Sequence, residues 1–194
     1  VRKPQSHVGK TVNVIDSTIL DEYKFSNLSD SFHNVPGVYV KRVNGQSGLT
    51  NIRIRGARSI DTKLLFNGIP LQDPSDPQGS ANPLIGDLPS SASKVEVLSG
   101  ASSTLWGSEA IGGVVNVVPN KGGKDEFEIS QEFGTNYTFK EKLSLRRSFG
   151  YAEISRTDSD GFDAHDDYDN LSSSGDFVFN PSDSFHLEYD YLFN

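Results

Sequence analysis

The chain has 194 residues, 35% of them hydrophobic, with a mean hydropathy of −0.46 and a formal charge of −8. That length suits one or two domains, and no run approaches the roughly 18 apolar residues of a membrane-crossing helix. The absence of cysteine excludes a disulfide framework and thiolate chemistry. Charge is uneven: residues 1–124 carry 13 Lys+Arg against 10 Asp+Glu, and residues 125–194 carry 5 against 16. Fourteen of the 18 glycines also precede residue 125, so a boundary is expected near residues 121–126, in the NKGGKDE stretch that begins at Asn120. The acidic half repels phosphate and the basic excess of the first half is small, so no nucleic-acid partner is expected. The chain begins with Val1 and has no methionine, so a mature, trimmed or partial chain is expected, with no signal peptide to read.

Residues 1–10 are polar, with Pro4 and Gly9, and are expected to be a flexible N-terminus. Residues 12–15 read as a strand, and Asp16 as the N-cap of a helix over residues 17–23. A second helix is expected over residues 27–34, with Leu28 and Phe32 on one face, until Pro36-Gly37 turns the chain. Val38 and Val40 alternate with Tyr39 and Lys41 in a strand. A Gly-rich loop follows at residues 44–50. Ile52 and Ile54 then alternate with Arg53 and Arg55, residues 64–66 form a strand, and Asn67-Gly68 marks a tight turn. A long polar loop over residues 72–82 contains Pro74, Pro77 and Gly79; loops of that length are functional or disordered. Residues 94–98 are an alternating strand, residues 101–106 a short helical run, and residues 114–118 an apolar strand stopped by Pro119. Gly107, Gly112 and Gly113 lie between the last two. The first half thus reads as a small mixed sheet with short helices.

The second half changes period. Phe127, Ile129 and Phe133 alternate with Glu128, Ser130 and Glu132. Tyr137, Phe139, Leu143 and Leu145 share one parity, with Lys140, Lys142 and Arg146 on the other. Further strands cover residues 151–156 and 170–180. In the last, Phe185, Leu187, Tyr189, Tyr191 and Phe193 oppose His186, Glu188 and Asp190. About five strands of roughly ten residues, with aromatics near their ends, match a transmembrane β-barrel pattern. From alternation alone a soluble antiparallel sandwich with an ordinary core is the better fit. The connection at residues 157–169 is long and those after the second and fourth strands short, so the long one is expected on the extracellular side.

That long connection holds the chain's metal-like constellation. Asp158, Asp160, Asp163, Asp166 and Asp167, with Asp169, offer the hard oxygen donors that Ca²⁺ takes. The spacing is not that of an EF-hand, and a solvated acidic loop accounts for it as well. No other cofactor is expected. The four histidines, His7, His33, His165 and His186, share no context, and no nucleophile elbow or phosphate loop occurs, so no enzyme is expected.

The literal residues add a resemblance. Residues 34–40 (NVPGVYV) with 52–58 (IRIRGAR), residues 64–74 (LLFNGIPLQDP), and residues 95–118 (VEVLSGASSTLWGSEAIGGVVNVV) occur in the order of the plug-domain motifs of TonB-dependent outer-membrane transporters. The loop placement resembles the vitamin B12 branch. The family's Arg-Gly-Pro is replaced by Ser99-Gly100-Ala101, and residues 1–10 contain no match to the energy-coupling TonB box.

The resemblance implies an α+β plug domain over residues 11–122, followed at 126–194 by the first antiparallel strands of an incomplete transmembrane β-barrel. It implies a receptor in the bacterial outer membrane that imports a scarce nutrient, a cobalamin or an iron chelate. Its partners would be a TonB-type energy-coupling protein, the nutrient and membrane lipid. It assigns substrate contacts to Asn44, Gln46, Ser47, Gln72, Asp73 and Gln78, and plug–barrel contacts to Arg53, Arg55 and Glu96; its B12 branch uses calcium to order acidic loops. A plugged barrel has about 22 strands, so a fragment is expected, able to pair with copies of itself through open strand edges. The alternative is a soluble β-rich module binding a sugar or a protein.

Overall fold

A computed structural model describes residues 11–23, 28–42, 50–71, 92–161, 167–182 and 185–193. The chain divides into two compact units, residues 1–43 with 48–118, and residues 44–47 with 119–194.

The first unit opens with β1 (Thr11–Asp16) and α1 (Ser17–Tyr23). The Asp16 carboxylate accepts a hydrogen bond from the Ile19 amide at 3.1 Å, which satisfies an amide that the helix cannot pair. The second helix is shorter than its pattern suggests. α2 covers only Leu28–Ser31, and the chain tightens into a 3₁₀ turn at Phe32–Asn34. Leu28 and Phe32 are nonetheless fully buried together.

β2 (Val38–Arg42) and β3 (Thr50–Ile54) pair antiparallel as a separate ribbon. Arg55 and Gly56, both at positive φ, then turn the chain into a 3₁₀ turn at Ser59–Asp61. β4 (Thr62–Phe66) and β5 (Ile69–Pro70) form a hairpin on Asn67-Gly68, both also at positive φ, as that turn requires. β6 (Ala92–Ser99), α3 (Ser103–Trp106) and β7 (Gly113–Pro119) complete the unit. The main sheet has the order β1-β6-β7-β4-β5, with β4 and β7 parallel. Its core includes Leu65, Val95, Val97, Val115 and Val117, contributed by three strands whose β-branched side chains suit a sheet buried on both faces.

The second unit is one antiparallel meander. β8 (Glu126–Phe133), β9 (Phe139–Arg147), β10 (Gly150–Ser159), β11 (Tyr168–Ser182) and β12 (Phe185–Phe193) lie in chain order. Among the described residues, β8 and β12 each keep an unpaired edge.

Three boundaries differ from the sequence pattern. Tyr137 belongs to the turn before β9, at φ 50°, and not to the strand. The short helical run begins at Ser103 rather than Ala101, because Ser102 is the N-cap and its amide is bonded to Ala110 O. The acidic connection is shorter than residues 157–169, since Asp158 and Asp169 are register partners within the β10–β11 ladder.

Candidate functional site

The stretch from β6 to β7 is a closed loop held by its own backbone. The Gly100 amide donates to Gly112 O at 2.8 Å and the Ser102 amide to Ala110 O at 2.8 Å, while the Gly112 amide reaches Asp61 O at 2.8 Å. Two glycines are sterically required. A Cβ on Gly112 would lie 2.6 Å from the Ala57 Cβ, and one on Gly113 2.4 Å from Leu98 O. Asp61 is fixed in turn by Arg58, whose Nε and Nη2 donate to its two oxygens at 2.8 and 3.0 Å. That fork holds the Asp61 carboxyl below the usual aspartate range, against the opposing effect of burial.

Of the residues expected to touch substrate, Asn44, Gln46, Ser47, Gln72, Asp73 and Gln78 all lie outside the described residues. Arg53 is exposed on β3, opposite Tyr39, while its neighbours Ile52 and Ile54 are buried. Arg55 is exposed too, and its Nη2 donates to Thr11 Oγ1 at 3.3 Å. Glu96 is half-buried on β6, where it accepts from Lys94 Nζ at 2.5 Å and from Asn116 Nδ2 at 3.2 Å. The Asn116 carbonyl accepts in turn from the Gly68 amide, so Glu96 buttresses the β4–β5 turn. Of the expected calcium ligands, Asp163 and Asp166 lie outside the described residues. Asp158 is an ion-pair partner of Arg156, which also forks onto Asp169 at 3.0 and 3.2 Å. Asp160 and Asp167 flank the connection, and neither belongs to a three-carboxylate group among the described residues.

The five-stranded sheet is inside-out. One face carries Phe127, Ile129, Leu143, Leu145, Ile154, Leu171, Phe179, Leu187 and Tyr189, all exposed; Phe133 is 81% and Ile129 67% accessible. Phe133 and Phe139 pack at 4.9 Å, and Tyr191 stacks between Phe177 and Tyr189. The face ends toward the β10–β11 connection in polar pairs, Gln131 with Glu141 and Arg156 with Asp169.

The opposite face is polar and carries Ser144, Glu153, Thr157, Ser172, Ser174 and Asp176, all buried. Its cross-strand partners pair by charge and hydrogen bond: Lys142 with Glu128 at 3.0 Å, Arg146 with Glu126 at 2.9 Å, Ser155 with Ser172 at 2.8 Å. Arg146 also lies over the Tyr151 ring.

One cluster on that face was not anticipated. Asp176 on β11 and Asp190 on β12 are directly opposed, and Glu188 lies one same-face step along β12. Lys121, in the connection before β8, hydrogen-bonds Glu188 and sits 3.7 Å from Asp176. Burial alone would lower the Lys121 ammonium; the Glu188 hydrogen bond and the three carboxylate charges outweigh it and raise it. The strand pattern put all three acids on one side, but their meeting with Lys121 depends on register.

Residues 4–114 match the family described as the TonB-dependent Receptor Plug Domain. The pyoverdine outer-membrane receptor FpvA of Pseudomonas aeruginosa PAO1, bound to pyoverdine, is 20% identical with a TM-score of 0.76, over 96% of this chain and 27% of that one. The siderophore receptor PiuA of Acinetobacter baumannii is 21% identical with a TM-score of 0.72, over 94% and 26%. The siderophore receptor PirA of Pseudomonas aeruginosa is 21% identical with a TM-score of 0.65, over 92% and 34%. The chain thus spans about a quarter to a third of the length of these structures and shares the fold of that part, here a plug-like mixed sheet followed by five antiparallel strands that do not close among the described residues.

Proposed function

The chain belongs to the TonB-dependent receptor plug-domain family, and from that premise we propose that it serves as the plug and first five wall strands of an outer-membrane importer of a scarce chelated nutrient. The observation that carries this is the inside-out sheet. A face of exposed Phe, Leu, Ile and Tyr suits lipid, and a buried serine- and carboxylate-rich face suits a filled lumen. An iron chelate is the favoured cargo, because PiuA and PirA, which share the fold, are siderophore receptors by description.

In this reading the plug occludes the barrel, and Asn44, Gln46, Ser47, Gln72, Asp73 and Gln78 supply hydrogen bonds to the cargo. Arg53 and Arg55 present their planar forks to carboxylates of the wall. An inner-membrane TonB-type protein supplies the force that rearranges the plug. Asp160, Asp163, Asp166 and Asp167 remain as oxygen donors for Ca²⁺ in the connection after β10. Transport itself belongs to a complete barrel. The open edges at β8 and β12 are where further strands, or a second copy, add.

Detergent dependence tests the proposal. The purified chain is expected to be monodisperse in detergent micelles and to associate when detergent is removed, followed by light scattering after gel filtration. A monodisperse monomer in plain buffer would overturn the reading and favour a soluble binding module.

A further inference from the structure

The cluster at Asp176, Glu188 and Asp190 has more negative charge than its surroundings neutralise. One oxygen from each carboxylate lies within 4.8 Å of the others. Two donors on opposite sides of one calcium ion, at about 2.4 Å each, are separated by that distance. The three oxygens thus fall within the span of one coordination shell, and a small adjustment of the side chains brings all three to one ion. Asp176 is fully buried, no amide, hydroxyl or ammonium donor reaches either of its carboxylate oxygens, and its nearest polar company is the Asp190 carboxyl. Lys121 stands 3.7 Å from it, beyond hydrogen-bonding distance, and spends its hydrogen bond on Glu188. His186 is a further neighbour, with its Nε2 3.8 Å from Glu188 and its Nδ1 facing Asn180. Three carboxylates against one ammonium leave a formal charge of −2. A buried carboxylate without donors is costly unless a cation or a proton joins it.

The geometry points to a divalent-cation site at Asp176, Glu188 and Asp190, in which the ion and the Lys121 ammonium compete for the same carboxylates. The donors are hard oxygens, which select Ca²⁺, Mg²⁺ or Mn²⁺ over softer ions. The β11–β12 ladder already holds Asp176 against Asp190, so binding needs little rearrangement of the backbone. Lys121 lies in the connection between β7 and β8, so an ion that takes Glu188 releases the side chain that anchors this connection to the wall strands. The site is distinct from the acidic connection after β10, which is built from other residues.

Mn²⁺ is the probe, because free aqueous Mn²⁺ gives an electron paramagnetic resonance signal that binding broadens. The full chain in detergent micelles is titrated with MnCl₂, alongside the Lys121→Gln, Asp176→Asn, Asp190→Asn and Asp158→Asn/Asp160→Asn variants. The wild type is expected to take up one ion at this site, and Asp176→Asn and Asp190→Asn each to weaken uptake by about tenfold or more. Lys121→Gln, which removes the competitor and keeps every donor, is expected to tighten uptake. Asp176→Asn is near-isosteric and removes a buried charge, so retention of β-sheet circular dichroism separates lost binding from lost folding. Absence of saturable uptake in both wild type and Lys121→Gln would overturn the site. So would unchanged uptake in folded Asp176→Asn and Asp190→Asn, or loss of all uptake in Asp158→Asn/Asp160→Asn alone.

Discussion

Replacing Tyr189 by arginine probes the lipid-facing assignment at its strongest point. On β12, Phe185, Leu187, Tyr189, Tyr191 and Phe193 share one face. Eight residue steps at about 3.4 Å separate the first from the last, or roughly 27 Å. Barrel strands tilt by about 35–45°, so that length covers roughly 19–22 Å of an apolar band about 25 Å tall. Tyr189 sits at the middle, with about 14 Å of apolar strand on either side, and is 60% exposed. Its cross-strand partner is Phe177 and its ring neighbour Tyr191, so the new guanidinium finds no carboxylate beside it on that face. An arginine at mid-depth costs about 2–4 kcal/mol, falling to about 0–1 near the interfaces. The mid-depth cost corresponds to roughly thirty- to a thousandfold weaker membrane association. The assay is partition of the purified chain between buffer and phosphatidylcholine vesicles, separated by flotation. His186→Arg is the control, three residues away on the polar face and 3.8 Å from Glu188, and is expected to change partition little. Equal effects of the two substitutions would refute the two-faced reading. So would a Tyr189→Arg chain that partitions as the wild type does.

Two further outcomes concern the first unit. Gly112→Ala would bring its new methyl 2.6 Å from the Ala57 Cβ and 3.3 Å from Asp61 O, and is expected to cost about 1–3 kcal/mol in urea unfolding. Gly56→Ala meets no atom within 4 Å and should cost only the strain of a left-handed residue, about 1–2 kcal/mol; a loss at Gly112 no larger than at Gly56 would refute close packing there. Asp61 is depressed when folded, so its contribution is complete above the ordinary aspartate value of about 4 and fades as pH falls through the lower folded value. Asp61→Asn should therefore be less stable than wild type at pH 6, and the gap should close toward pH 2; a constant gap would show that the Arg58 fork is not its source.

Local chemistry was the legible part of this sequence. Asp16 caps its helix because a short carboxylate before an amphipathic run reaches the third amide. Asn67-Gly68 turns where it should because both residues accept positive φ. The faces of the second unit were legible for the same reason: a period of two needs no knowledge of partners. Register was not. The pairing of Asp158 with Asp169 and of Asp176 with Asp190 depends on where each hairpin turns, and a one-residue slip would send those side chains to opposite faces. Tyr137 shows the limit from the other side. Its parity with Phe139 is right for a strand, yet the turn at Asn136 and Tyr137 takes precedence, because the Gly134 amide bonds Thr138 O and closes the hairpin there.

The same physics explains why the second unit is the informative one. A sheet in water stabilises itself by covering its apolar face, which is worth about 25 cal/mol per Å². Here the covered residues include Ser144, Glu153, Ser174 and Asp176, whose burial contributes little and whose charges need partners, while Phe127, Ile129, Phe133 and Phe193 stay open. A soluble fold gains nothing from that arrangement and loses the desolvation of Asp176 and Glu153. It becomes favourable only when the solvent itself is apolar on one side, for then the exposed rings are the buried ones. The open edges at β8 and β12 obey the same condition, since unpaired backbone amides in hydrocarbon are satisfied only by further strands. Pattern, burial and edges thus all favour the proposed bilayer setting over water on both faces of the sheet.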